Sequence, residues 1–221
     1  MTYYTEIEPR MKLLSVNLAM PRAVDYKGRS VMTGIYKEPV NGPVQLHHEG
    51  LAGDGQADLK VHGGPDKAAY AYPIEHYAWW QDQLGRASFP HGQFGETLTV
   101  QGLLEHELGI GDRLRIGGAL LQVSQPRTPC FKLGIKMGAE DFPRRFQDSG
   151  RVGFYLRVLE DGPVCAGDDI EIVSRHEPWH SVQELWRWSH LERNNRDAAR
   201  TALELAPLAQ SWKDKFAQRL R

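Results

Sequence analysis

The chain has 221 residues, of which 41% are hydrophobic and 25% are charged, as is ordinary for a globular protein. Its net charge of −1 argues against broad binding to nucleic acid or a membrane surface, and it contains no apolar run long enough to predict a membrane span. The two cysteines, Cys130 and Cys165, are too few for a disulfide framework, so we expect a reducing, cytoplasmic compartment.

The first three quarters of the chain are predicted to be mainly β-structure. Short runs of β-branched and aromatic residues, bounded by Gly, Pro, Asn or Asp, are typical of strands. Such runs cover 12–20, 30–36, 44–48, 68–72, 97–101, 113–116, 119–124, 153–160 and 169–174. Helices are predicted at 74–84, directly after Cys130 and at 140–147. Many short strands with a few inserted helices favour a closed barrel or a sandwich.

The sequence changes character after Arg175. Residues 181–221 show no strand pattern, and three short helices are predicted there, beginning with a capping box at Ser181 and Glu184 and continuing at 196–204 and 208–220. The chain is therefore divided into a β domain, residues 1–176, and a three-helix extension, residues 177–221. About 40 residues cannot form an independent core, so we expect the extension to pack on the β domain or on another subunit.

The segment around Cys130 is the most informative part of the sequence. Thr128 is a plausible N-cap and Pro129 suits the first helical position, which would place Cys130 in the first turn of a helix. Backbone N–H groups at that position, together with Arg127 and Lys132, favour a thiolate. A thiolate could attack an electrophile or bind a soft metal. The alternative is a buried, inert cysteine.

A first glycine-rich segment runs from Gly50 to Gly55 and contains Gly53 and Asp54. Glycines allow backbone N–H groups to turn towards an anion and allow a ligand to approach closely. The segment is not a phosphate-binding P-loop, because the required Gly-Lys-Ser/Thr ending is missing. An ordinary tight turn is the alternative.

A second glycine-rich segment, residues 60–67, places His62 next to Gly63 and Gly64. A loop histidine beside two glycines could donate to a phosphate or act as an acid or base near neutral pH. The alternative is a surface histidine with no chemical role.

A third segment, residues 94–100, places Glu96 and Thr97 just before a strand. Glu96 could bind the polar edge of a ligand, or it could be a turn carboxylate that nearby N–H groups satisfy. Zinc sites are excluded because the chain has no Cys-x-x-Cys and no His-Glu-x-x-His motif. A hydrolase with Cys130 as nucleophile and His62 as base remains open.

Taken in order, these segments resemble the MOSC domain family, which is named for its likeness to the C-terminal part of molybdenum-cofactor sulfurases. The resemblance spans nearly the whole chain. The Ser-Gln-Pro-Arg-x-Pro-Cys signature that ends at Cys130, together with the C-terminal helices, is similar to the YiiM-type branch of that family. The segments that carry the resemblance are 50–54, 60–66, 94–99, 109–113 and 123–132.

The resemblance implies a MOSC-type β-barrel that binds the molybdenum cofactor (molybdopterin), a pterin dithiolene that carries a phosphate. Relatives of this kind reduce N-hydroxylated compounds, such as N-hydroxylated purines and amidoximes, which implies a role in detoxification. Their electrons come from a separate flavoprotein or another redox protein. The chain has no flavin or haem motif, so we expect such a donor partner, and the C-terminal helices could serve a homodimer.

By position, Cys130 corresponds to the family's cysteine ligand to molybdenum, and His62 is the candidate proton donor. Thr97 stands where relatives often have Asn. The alternative function is a carrier that holds the cofactor, or sulfur as a Cys130 persulfide, for another enzyme. The residues that we expect to bind the cofactor are Gly53, Asp54, His62, Gly63, Gly64, Glu96, Thr97, Gln125, Arg127 and Lys132.

Overall fold

Strands dominate the computed structural model, which describes residues 11–57 and 63–221. The strands of these residues are β1 (Lys12–Leu18), β2 (Arg22–Tyr26), β3 (Arg29–Thr33), β4 (Glu38–Val40), β5 (Val44–His47), β6 (Gly50–Leu51), β7 (Ala69–Pro73), β8 (Leu98–Gln101), β9 (Arg113–Ile116), β10 (Ala119–Pro126), β11 (Phe154–Glu160), β12 (Gly162–Val164) and β13 (Ile170–Ser174). The helices are α1 (Glu75–Leu84), α2 (Phe131–Met137), α3 (Phe142–Asp148), α4 (Val182–His190), α5 (Arg196–Glu204) and α6 (Gln210–Ala217). The prediction of a sheet-dominated fold with inserted and C-terminal helices is confirmed.

The largest sheet has eight strands in the order β13-β9-β10-β11-β7-β8-β1-β4. Strands β7 and β8 run parallel, and α1 lies in the connection between them. Strands β5, β6 and β12 form a second sheet, and β2 and β3 form a separate hairpin.

One local link joins β1 to the start of β13. The amide of Leu13 donates to the carbonyl of Asp168 (2.9 Å), and the amide of Ile170 donates to the carbonyl of Met11 (2.9 Å). Within the described residues these bonds form an isolated bridge and no continuous ladder. The closed barrel therefore stays a prediction.

The turn between β9 and β10 follows the sequence pattern closely. Ile116 pairs with Ala119 across Gly117 and Gly118, as expected for a two-residue hairpin loop. The pattern did not reveal β2, β4, β6 and β12, because these strands are short or, like β2, largely exposed and without a clear apolar alternation.

The C-terminal helices pack on the sheet of their own chain. One hydrophobic core contains Leu121 and Val123 of β10 together with Leu185, Trp188 and Phe216 of the helices. Backbone hydrogen bonds tie the two parts as well, for example from the amide of residue 209 to the carbonyl of residue 124 (3.0 Å). The extension therefore shares the main core, and the boundary at residue 176 stays a prediction.

A second, aromatic cluster packs α1 and α3 against β7. Trp80 stacks on Phe146 with a centroid separation of 5.6 Å, and its indole N–H donates to the hydroxyl of Tyr72 (2.8 Å). The cluster also holds Phe94 and Phe142, both fully buried. Leu133 and Met137 of α2 pack in the same cluster, so it also anchors this helix. No helix of the described residues is long and apolar enough to cross a membrane.

The shared core makes a prediction about cooperativity. Phe216 of α6 is fully buried in the core that contains the sheet, so Phe216→Ala should lower the free energy of unfolding of the whole protein by about 3–5 kcal/mol. Urea denaturation, followed by circular dichroism and by tryptophan fluorescence, should show one transition at a lower midpoint.

Leu191→Ala is the control, because this side chain is 62% exposed and its truncation should change stability by less than about 0.5 kcal/mol. A Phe216→Ala protein in which only part of the signal unfolds early, while the rest keeps its original midpoint, would show that the extension is an independent unit.

Candidate functional site

A pocket opens where β10 ends and α2 begins. Its wall includes Arg127, Cys130 and Lys132 from this segment and Asp54 and Gln56 from the turn after β6. The cavity has a volume of about 100 Å³ and is open to solvent on one side. The structure therefore brings the cysteine segment together with the first glycine-rich segment, although the two are far apart in sequence.

Cys130 lies at the N-cap of α2, with an extended backbone (φ −120°, ψ 171°). The expectation that Thr128 is the N-cap and that Cys130 lies inside the first turn was therefore wrong. The chain remains attached to the sheet as far as Arg127, whose amide donates to the carbonyl of Gly153 (3.1 Å), and the helix begins only afterwards. Cys130 is partly exposed and lines the pocket, unlike an inert core cysteine.

Arg127 is a buried cation beside the thiol, with 5% of its surface exposed. Its guanidinium lies 4.5 Å from the ring centroid of Tyr70, and Nη1 donates to the Tyr70 hydroxyl (3.0 Å). Burial lowers the pKa of Arg127, but the nearby Tyr70, Tyr155 and Cys130 more than offset this effect and the pKa is raised overall. No carboxylate in the described part of the chain forms an ion pair with it.

Asp54 and Lys37 form an ion pair in the pocket wall, and both side chains are buried. The same oxygen of Asp54, Oδ1, also accepts from the amide of Ala19 (2.9 Å). Burial lowers the pKa of Lys37, and the charge of Asp54 opposes this shift. Asp54 thus lies at the pocket as predicted, and its contact with Lys37 was not foreseen.

Positive charge dominates the pocket. The described lining contains four cationic side chains, which are Lys37, Lys67, Arg127 and Lys132, and one acidic side chain, Asp54. Burial lowers the pKa of Lys67, and the charge of Asp66 opposes this effect. Clustered donors of this kind suit an anionic ligand, above all one with phosphate oxygens.

Gln56 adds an acceptor that the sequence did not reveal. Its Oε1 is buried and has no hydrogen-bond partner among the described residues. A buried acceptor without a donor costs free energy, so a ligand N–H or O–H in this pocket would satisfy it. No group of three His, Cys, Asp or Glu side chains in residues 11–57 and 63–221 is arranged to hold a metal ion. A metal in this pocket would therefore need further ligands of its own.

Glu96 lies beneath the pocket and is fully buried. Its carboxylate accepts from the amides of Gly92 (2.8 Å) and Phe94 (2.9 Å), from the Tyr77 hydroxyl and from the Thr99 hydroxyl (3.2 Å). Burial raises its pKa. This geometry corrects the expectation of a ligand contact, because the oxygens face protein donors, as in the turn-carboxylate alternative.

Two further predicted residues bind protein groups instead of facing a ligand. Thr97 lines the pocket, but its hydroxyl accepts from the amide of Tyr70 (2.9 Å) and donates to the Tyr70 carbonyl (3.2 Å). Gln125 is 3% exposed, and its Oε1 accepts from the hydroxyl of Ser211 in α6 (3.2 Å). The amide of Gln125 therefore holds the helical extension.

The predicted glycines do not form the pocket wall, as far as the structure describes it. Gly53 lies in an exposed turn with φ 80°, and Gly64 precedes a short helical turn with φ 92°. Gly63 is likewise absent from the described lining. Gly34 and Gly55 line it instead, and a Cβ on Gly34 would lie 2.6 Å from the carbonyl oxygen of Gly55. His62 lies outside the described residues.

Lys136 ties α2 to the pocket wall. Its Nζ donates to the carbonyls of Ile35 (3.0 Å) and Gly92 (2.6 Å), and Ile35 lines the pocket. Burial lowers the pKa of Lys136 to about 8, although the charge of Glu96 opposes the shift. No local pattern in the sequence indicates this contact.

The chain is similar to several known proteins. A family model described as the MOSC domain matches residues 58–171, and one described as the YiiM-like, 3-alpha helix domain matches residues 181–221. Protein YflK of Bacillus subtilis, called uncharacterized, is 43% identical over 96% of both chains. A Gibberella moniliformis protein named Reductase is 34% identical over 72% of this chain and 29% of its own.

A solved structure shows the same similarity. The crystal structure of YiiM from Geobacillus stearothermophilus superposes on this chain with a TM-score of 0.82 at 35% identity. The match covers 96% of this chain and the whole of that one, at 100%. The sheet and the helical extension are therefore shared together.

Lys136 makes stability depend on pH. Its pKa is about 8 in the folded protein and has an ordinary value of 10.5 in the unfolded chain, so folding favours the neutral amine. The stability of the protein is therefore highest above pH 10.5, and it falls as the pH is lowered from there through 8. Between about pH 7.5 and about pH 9.5, the free energy of unfolding of the wild type should rise relative to Lys136→Met by about 1–2 kcal/mol. Urea denaturation at both pH values measures the difference.

Lys27→Met is the control, because the Lys27 side chain is 59% exposed and should show no comparable rise. Equal pH dependence in the wild type and Lys136→Met would show that the ammonium of Lys136 is not buried in this way.

Proposed function

The chain belongs to the MOSC domain family, and on that premise we propose that it is an oxidoreductase that holds the molybdenum cofactor in the Cys130 pocket and reduces N-hydroxylated compounds. One observation carries the proposal. A partly exposed thiol lines a pocket with four cations, where the single acid of the described lining is already paired with Lys37.

The residues of the pocket fit the chemical parts of this cofactor. A thiolate is a ligand that suits a soft metal centre, and Cys130 is the cysteine that the pocket presents. Lys67, Arg127 and Lys132 would bind the phosphate through charge-assisted hydrogen bonds. Oε1 of Gln56, which has no hydrogen-bond partner among the described residues, would accept from an N–H group of the pterin.

The cofactor, when bound, would supply a redox-active metal that passes electrons to the N–O bond of the substrate. The protein's own residues hold and orient this group. Arg127 cannot lose its charge, and its contacts with Tyr70 fix its position, so it presents a permanent cation beside the thiol. The first N–H groups of α2 lie directly after Cys130 and favour its thiolate form.

Reduction of an N-hydroxyl group to an amine consumes two electrons and two protons and releases water. His62 is our proposed proton donor, on the strength of its place in the glycine-rich segment. The electrons would come from a separate flavoprotein or similar redox protein, since the chain carries no flavin or haem motif. A fungal relative named Reductase, of which this chain matches 29%, is consistent with a redox activity.

Metal content and turnover test the proposal together. The full-length protein, expressed in a host that makes the cofactor, should contain molybdenum and reduce an N-hydroxylated purine with an artificial electron donor such as reduced viologen. Cys130→Ala should lose both the metal and the activity, because it removes the protein's ligand to molybdenum. Metal analysis by mass spectrometry and product formation by chromatography measure the two properties.

Cys165→Ala is the matched control, because Cys165 is the other partly buried cysteine of the chain and does not line the pocket. It should keep both properties. A Cys130→Ala protein that retains molybdenum and activity contradicts the proposal. A wild type that holds molybdenum without turnover supports the carrier alternative instead.

A variant of Lys132 tests whether this side chain binds the phosphate of the cofactor. Lys132→Met should weaken cofactor retention about tenfold, because one charge-assisted hydrogen bond to an anion is lost. The molybdenum that remains after dialysis in rising salt measures retention, and Lys213→Met is the control at a partly buried lysine of α6 that does not line the pocket. Identical salt profiles for the two variants would show that Lys132 does not hold the cofactor.

A further inference from the structure

A second pocket lies on the other side of the segment that leads to Cys130. It is formed between α3 and the helices α4 and α6 of the extension. Thr128 lines both pockets, and Pro129 lines the second one, so this short segment separates them. Nothing in the proposed reaction uses the second pocket.

Three cations of this pocket have no carboxylate partner in the described part of the chain. Lys215 donates to the hydroxyl of Ser189 (2.6 Å), and Arg219 donates to the carbonyls of Trp188 (2.7 Å) and Ser189 (2.6 Å). Arg193 donates only to a backbone carbonyl, at residue 190 (3.1 Å). These bonds hold the positive groups in place without neutralising them.

The single acid of the described lining cannot neutralise the three cations. Asp148 is paired with His190 (2.8 Å) and lies 3.6 Å from Arg144. The cations therefore repel one another. Burial, followed by the charges of Arg219 and Arg193, lowers the pKa of Lys215 to about 8. Such a cluster becomes stable when a dianion enters it.

The pocket also contains an unsatisfied acceptor. Oε1 of Gln147 is buried and has no hydrogen-bond partner among the described residues. An occupant that carries a negative charge and also a hydroxyl or amino donor would balance the cations and satisfy this acceptor. A bare anion would balance the cations only.

We propose that this second pocket binds a phosphomonoester of a small polar molecule. Lys215, Arg219 and Arg193 would bind the phosphate, and Gln147 would accept from a hydroxyl group of the same molecule. Three cations suit a phosphomonoester, which has two negative charges and three terminal oxygens, better than they suit a single carboxylate. The position of the pocket between α3 and the helices α4 and α6 favours a small molecule over the acidic surface of a protein.

Titration calorimetry on the full-length protein tests the proposal with three probes, which are ribose 5-phosphate, inorganic phosphate and ribose. Ribose 5-phosphate should bind more tightly than phosphate, and ribose should not bind. Arg193→Met should weaken the binding of ribose 5-phosphate about tenfold, because one charge-assisted contact is lost. This side chain is exposed, so the variant should fold normally. Gln147→Leu should remove the advantage of ribose 5-phosphate over phosphate.

The Cys130 pocket is also cationic, so Lys132→Met is the matched control and should leave the affinity for ribose 5-phosphate unchanged. Arg193→Met should keep the molybdenum content of the wild type, which separates this site from the proposed cofactor site. Absence of phosphate binding, or binding that is lost in Lys132→Met and kept in Arg193→Met, overturns the proposal. An acidic protein that binds this face, without phosphate binding, overturns it as well.

Discussion

The buried positive charge of Arg127 is the constraint on which the site depends. A guanidinium that is removed from water must be compensated, and here Tyr70 supplies a ring face and a hydroxyl oxygen but no negative charge. Tyr155 and Cys130 also favour the charged guanidinium, and both line the pocket. A cation is therefore built into the pocket wall at the end of β10, where contacts with Tyr70 and Phe146 hold the side chain.

Much of the fold could be predicted from the sequence, because local patterns determine it. The Gly117-Gly118 turn, the strands around it and the helix at 196–204 follow from alternation, turn residues and helical spacing. The start of α2 was misplaced, since the pattern could not show that Arg127 is still hydrogen-bonded to the chain next to β11. That contact depends on residues 26 positions apart in sequence, at 127 and 153.

The site was harder to predict, because a motif shows which residues occur together and not where each side chain points. Glu96 and Gln125 belong to the recognised segments, yet one holds a loop and the other holds α6. Lys37, Gln56 and Lys136 reach the pocket or its wall from segments that carry no local signal. Only tertiary structure reveals such residues. The cysteine segment was recognisable because its chemistry is local.

The bond between the side chain of Lys12 and the carbonyl of Gly167 joins positions 155 residues apart, beside the bridge between β1 and β13. Contacts over such distances slow folding, because the intervening chain must lose its conformational freedom before the contact can form. Before then, the unpaired strand edges can associate with other molecules. Refolding yield should consequently depend on dilution and on time.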